Sequence, residues 1–169
     1  MRRLFFFILL AGMIFSSCEV NVTTNDKGSS SSSSKIRNGI VIKSNGIKVE
    51  QAFLQFDDGT LVPDDNKIQV NQKVKIRLLV SGWKEKDGKV FLDASEKMET
   101  SEGDVFLDEK DLFSAYTDGL PPEDAKGLSL SVVITQLSKL YDFFKVSFRV
   151  DDKTDPNNFV EGYYKLYLQ

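Results

Sequence analysis

The residue types that carry most enzyme chemistry are scarce in this chain. None of its 169 residues is histidine, and only one, Cys18, is cysteine. Without histidine there is no Ser-His-Asp triad, no Cys-His pair, no zincin motif and almost no route to a transition-metal site. The glycines are scattered through turn-like stretches, with no strand–loop–helix setting for a phosphate loop. Carboxylates remain. With 25 Asp and Glu residues, some pair will fall at the roughly 5–10 Å separation of a glycosidase by chance. Most sit in turns, where Asp and Asn bond to the local backbone. The expectation is a protein that binds rather than catalyses, with no cofactor.

Two clusters of functional residue types stand out. The stretch "DDKTDPNN", residues 151–158, offers Asp151, Asp152 and Asp155 with Asn157 and Asn158, all hard oxygen donors. Calcium takes such ligands. The spacing matches no known calcium loop and Pro156 stiffens it, so a solvated hairpin is the competing reading and no resident metal is expected. The second cluster comes from the closing hairpin. If Phe144, Val146, Phe148, Val150 and Val160, Tyr164, Leu166, Leu168 share a core face, opposed residues on antiparallel strands point the same way. Setting Val150 against Val160 then places Phe148 against Gly162, Val146 against Tyr164, Arg149 beside Glu161 and Ser147 beside Tyr163. It also puts Phe143 beside Tyr167 and leaves Lys145 facing Lys165, a repulsion that a neighbouring anion would relieve. The outer face gathers Phe143, Lys145, Tyr163, Lys165 and Tyr167, aromatics and cations together. Two readings stay open, a binding platform and ordinary cross-strand support for a solvated sheet.

The elements that position these residues follow from the order of the chain. Arg2 and Arg3 precede an unbroken apolar run, Leu4 to Phe15, then Ser16, Ser17 and Cys18. A charged start, a short apolar stretch and small residues at the cut make a secretory signal. Twelve apolar residues are too few for a membrane span, which needs about 20. An unpaired thiol in an oxidising compartment would be a liability. "FSSC" resembles the lipobox of bacterial lipoproteins, with Phe15 standing where leucine is commonest. The resemblance covers residues 1–18. It implies that the signal, 1–17, is removed and that Cys18 carries a diacylglycerol thioether and an acylated amine. Several acyl chains on one residue would hold the protein permanently, whereas one gives reversible attachment. It also implies a bacterial envelope location, and Glu19 directly after the cysteine leans towards the outer membrane, periplasmic or surface-facing.

Processing there changes the net charge from −3 to −5. A mildly acidic chain without a basic cluster is a poor partner for nucleic acid. Residues 18–35 include six consecutive serines and almost nothing apolar, so they cannot bury enough surface to offset ordering. They read as a flexible tether of about 22 Å typical span, or as a glycosylated stalk.

Residues 36–169 read as one domain. Alternation in "VKIRLLV", "LSLSVVI", "FKVSFRV" and "YYKLYL" marks half-buried antiparallel strands. Further strands are expected near 40–43, 47–56, 90–98 and 105–107, with a bulge near Gln51. Turn signals at 57–60, 86–89 and 102–104 separate them. "EKDLFSAYT" reads as the single helical turn, capped by Asp111. The fold class expected is all-β: an antiparallel β-sandwich of about eight strands with one short helical turn. The closing hairpin resembles that of bacterial immunoglobulin-like modules, and the resemblance implies that subtype. Trp83 is expected to plug the core or rim. The long segment from Asp111 to Gly127 either caps an open end of the sandwich through Leu112 and Phe113 or forms a partner-binding loop. The function expected is a lipid-anchored envelope module for protein interaction, with a carbohydrate-binding module or a structural stalk as alternatives.

Overall fold

The computed structural model describes residues 35–135, 137 and 139–169. The expected signal, the lipobox-like stretch with Cys18 and the expected tether up to residue 34 lie outside the described residues. In chain order the elements are β1 (Lys35–Ile36), β2 (Val41–Asn45), β3 (Lys48–Phe56), β4 (Lys67–Ile68), β5 (Lys73–Ser81), β6 (Glu85–Lys86), β7 (Lys89–Val90), β8 (Leu92–Thr100), β9 (Val105–Glu109), α1 (Pro122–Ala125), β10 (Gly127–Val133), β11 (Phe144–Asp152) and β12 (Phe159–Leu168).

The smaller sheet runs β1-β3-β5-β10 and the larger β2-β12-β11-β8-β9, with β4 also on β12 and β6-β7 a separate hairpin. The long ladders are antiparallel; only the two-residue β1 and β4 pair in parallel. This is the expected all-β sandwich. Apolar residues alternate along each long strand, and those facing inward from both sheets form one buried cluster. Among them are Ile76 and Leu78 from the smaller sheet and Val146, Val150, Val160 and Leu166 from the larger. Every buried apolar side chain described lies between Ile40 and Leu166, so the domain carries its own core.

The turn chemistry acts as the sequence demands. Asp87 and Gly88 both take positive φ, 53° and 70°, the geometry of a tight two-residue hairpin, and join β6 to β7. The register of β3 on β5 slips between Val49 and Gln51, so the bulge sits where the alternation breaks. Trp83 plugs the rim: it packs against the core, and its Nε1 donates to the Ala125 carbonyl at 3.0 Å.

The helical turn is displaced. Residues 109–117 do not form it; the helix is Pro122–Ala125, opened by Pro122 in its first turn, a position that costs no hydrogen bond. Two facts explain the shift. Asp111 has φ 60°, the wrong backbone for a cap, which needs an extended conformation. The Leu112 amide donates to the Ala94 carbonyl at 2.8 Å, so the chain is still following β8. Tight turns come next, Ser114 to Asp111 and Tyr116 to Phe113. Phe113 packs on the core, Leu120 pairs both ways with Val90, and Leu112 and Tyr116 stay exposed. The segment is thus partly a cap, made by Phe113 and Leu120.

Two buried features were not foreseen. Asn38 and Asn66 form a clasp. Asn38 Nδ2 donates to Asn66 Oδ1 at 2.9 Å, and Asn66 Nδ2 donates to the Asn38 and Lys165 carbonyls at 2.8 and 2.9 Å. The Leu54 amide completes it by donating to Asn38 Oδ1 at 3.0 Å. β3 and β12, in different sheets, are thereby tied together. Glu96 is the other feature. It occupies a core position of β8 between Ala94 and Met98 and is 2% exposed. Its Oε1 and the hydroxyl of buried Tyr164 have no hydrogen-bond partner among the described residues. Burial pushes the Glu96 carboxyl up to about 7. Tyr164 is raised well above the phenol range by burial and, secondarily, by the charge of Glu96.

Candidate functional site

The outer face of the larger sheet holds the residues singled out above. Register decides what meets there. β11 pairs with β12 as Val150↔Val160, Phe148↔Gly162, Val146↔Tyr164, Arg149↔Glu161, Ser147↔Tyr163 and Lys145↔Lys165, as the alternation requires. Phe143 and Tyr167 fall just beyond the last rung, Phe144↔Leu166, so they do not pair in the ladder. Gly162 leaves space for a ring: a Cβ there would collide with the Val41 carbonyl and with Phe148 Cζ.

The two facing lysines diverge. Lys145 Nζ lies 4.8 Å from the centroid of the Tyr163 ring, and Lys165 Nζ lies 3.9 Å from that of Phe143. A cation over an aromatic face is held by the ring quadrupole. The neighbouring anion is Glu99, opposite Lys145 on β8. A hydrogen bond from Lys97, and behind it the charges of Lys97 and Lys145, hold the Glu99 carboxyl below its usual range. Phe143, Lys145, Tyr163 and Lys165 are half-buried and Tyr167 is exposed. The rings therefore do not form a bare stripe. Ammonium groups stand over two of them.

Beside this cluster the face is hollowed. A trough of about 430 Å³ is bounded by Asp93, Ser95 and Lys97 of β8, by Asp108, Lys110 and Asp111, and by Ser147, Arg149 and Asp151 of β11. A second hollow of about 310 Å³, against Val41, Lys43, Glu161 and Tyr163, shares Ser147 and Phe148 with it. The small side chains Ser95 and Ser147 leave the floor low. Arg149 is fully engaged. Its Nε and Nη2 donate to Asp151 at 2.9 and 2.6 Å, its Nη1 to Glu161, and its plane lies 4.2 Å from the Phe159 centroid. The hydrogen bond to Asp151, offset in part by burial and joined by that to Glu161, raises the guanidinium further.

The three candidate calcium ligands do not converge. Strand alternation sends Asp151 outward to Arg149 and Asp152 inward, where it is 1% exposed. Asp152 accepts from the Lys84 amide at 2.8 Å and from the Thr154 amide and hydroxyl at 2.8 and 2.7 Å. Burial pushes its carboxyl up, and these hydrogen bonds outweigh burial and hold it below the usual range. Asp155 accepts from the Asn157 amide at 3.1 Å and lies 3.9 Å from Lys84. Among the described residues no group of three or more Asp, Glu, Cys or His side chains is placed to hold a metal ion.

No family model matches the chain. No curated protein is similar to it. Among solved structures it is similar to the C-terminal domain of wzt, at a TM-score of 0.47 and 13% identity, over 79% of this chain and 80% of that one.

Proposed function

We propose that this chain is a lipid-anchored, non-catalytic binding module of a bacterial cell envelope, presenting the outer face of its larger sheet to a protein partner. The anchor is Cys18, on the strength of the lipobox-like order of residues 1–18, and the outer membrane is its site. One observation carries the binding face: the Lys145–Tyr163 and Lys165–Phe143 stacks beside exposed Tyr167 form an ordered patch of cations and aromatics, half open to solvent. Tyrosine and phenylalanine are among the residues that protein interfaces favour. The test is a pull-down from native envelopes with residues 36–169, compared with a Tyr163→Ala, Tyr167→Ala double variant. A partner recovered by the first and lost by the second supports the reading. A double variant that folds normally and recovers every partner sinks it.

A second reading is favoured by the trough. Within it Arg149 and Asp151 are paired with each other, Lys97 is taken up by Glu99 beside it, aspartates outnumber the basic residues, and Ser95 and Ser147 lie on its floor. A neutral, hydroxyl-rich ligand such as a glycan suits such a surface better than an anion. Filling it with Ser95→Tyr, which has β11 between it and Tyr163, abolishes glycan binding by calorimetry under this reading and leaves the protein partner of the first reading bound.

A further inference from the structure

The four long borders of the two sheets are not alike. The outer border of β3 is covered along its length. β1 pairs with Gln51 and Ala52, the Arg37 amide donates to Ala52, the Val62 amide to Leu54, and the Phe56 amide to Thr60. The border at β2 carries Lys43 at its centre, half way along Val41–Asn45. The border at β9 is bulged near Phe106 and ends in Asp108 and Glu109. Charges and bulges are the usual means by which sheet edges are kept from pairing.

β10 has neither. Its seven residues, GLSLSVV, contain no charge and no proline. Its ladder with β5 is continuous from Gly127↔Leu79 to Val133↔Lys73, with no register shift. Among the described residues no further hydrogen bond reaches Gly127–Val133 from the other side. An antiparallel pair leaves alternate backbone N–H and C=O groups of an edge strand pointing away from its neighbour, and they are strong, obligatory bonding groups.

We propose that β10 is an assembly edge and that its occupant is the β10 of a second copy, the two strands antiparallel about a two-fold axis at Leu130. The two four-stranded sheets then run on as one. Self-pairing suits this border and not the others. With Leu130 on the axis, Leu128 faces the second copy's Val132 on the core side. On the outer side Ser129 faces Ser131 and Gly127 faces Val133. No charge meets a like charge, and serine pairs across strands are favourable. The same operation at β2 sets Lys43 against Lys43, and at β9 the bulge near Phe106 breaks the even ladder that it needs. This surface is separate from the outer face of the larger sheet, so the inference stands apart from the proposed binding function.

The test is the mass of the full chain in detergent micelles, by light scattering with the detergent contribution subtracted, over roughly 1 to 100 μM protein. A dimer that dissociates on dilution is expected. The decisive variant is Ser131→Glu, Val133→Glu. In the monomer these positions lie opposite Lys75 and Lys73, so the fold gains neighbouring opposite charges. In the dimer they load the paired edge with four carboxylates, and the dimer is lost. A wild-type chain that is monomeric throughout overturns the proposal, and so does a folded variant that still dimerises. Should the variant melt early, Ser129→Cys, Ser131→Cys decides. Cross-strand disulfide dimers on a non-reducing gel that the wild-type chain does not form support the edge; their absence rejects it.

Discussion

Removing the charge of Glu96 without changing its shape should flatten the pH dependence of stability. The folded carboxyl ionises near 7 because burial opposes its charge, against 4.5 as an ordinary glutamate. Between those values the folded chain holds a proton that the unfolded chain has released. Stability from this group is therefore fully present below about pH 4.5 and is lost as pH rises to 7. At about 1.4 kcal/mol per unit, the loss is about 3 kcal/mol. Glu96→Gln keeps the volume and has nothing to titrate. Urea unfolding of residues 36–169, followed by tryptophan fluorescence at half-unit steps from pH 5 to 8, measures the difference. Variant and wild type should agree within about 1 kcal/mol at pH 5, and the variant should lead by about 2–3 kcal/mol at pH 8. Other titrating groups are common to both proteins and cancel. Equal slopes over this range would show that Glu96 ionises normally and that its burial is relieved in solution.

Other perturbations read other parts of the molecule. Cys18→Ser should abolish labelling by a radioactive fatty acid and release the protein to the soluble fraction; unchanged membrane retention would falsify the anchor. Asp152→Ala should cost about 1–3 kcal/mol, because the Lys84 and Thr154 amides lose their acceptor, as read by thermal melting. The same carboxyl is held low in the folded state, so its contribution is present above its unfolded value of 3.8 and vanishes as the solution is acidified below that. Gly162→Ala should destabilise by about 1–3 kcal/mol, since the added methyl has no room beside Phe148 and the Val41 carbonyl; a neutral effect in chemical denaturation would mean that β2 moves aside.

The period-two pattern was enough to set the long strands and the closing register, because shifting β12 by one residue would turn Val160, Tyr164 and Leu166 out to solvent. It stopped where pairing stops: Phe143 and Tyr167 continue the arithmetic and not the ladder. The same pattern held an unread signal. Leu92, Ala94, Met98 and Thr100 face the core, so Glu96 must as well, yet glutamate is a residue one assumes to be outside. Asn38 and Asn66 were hidden for another reason. They act through long-range bonds from left-handed turns, 28 residues apart, and nothing local announces that. The helical turn was misplaced because Asp111 has the right side chain for a cap and the wrong backbone. Lys145, Tyr163 and Lys165 meet in the ladder as the alternation requires, but the lysines standing over the rings are a matter of rotamers, on which strand periodicity is silent.

The asparagine clasp has a mechanical consequence. A load applied at the N-terminal end of the domain arrives at Lys35–Ile36, two residues paired in parallel with β3. Such a short ladder yields early. The next point along the chain is Asn38, bonded to Leu54, to the Val62 and Pro63 carbonyls and to Asn66, which in turn holds the Lys165 carbonyl. Force reaching it divides at once between β3 in one sheet and β12 in the other. Peeling then ends two residues into the domain, and further extension has to shear the sandwich as a whole.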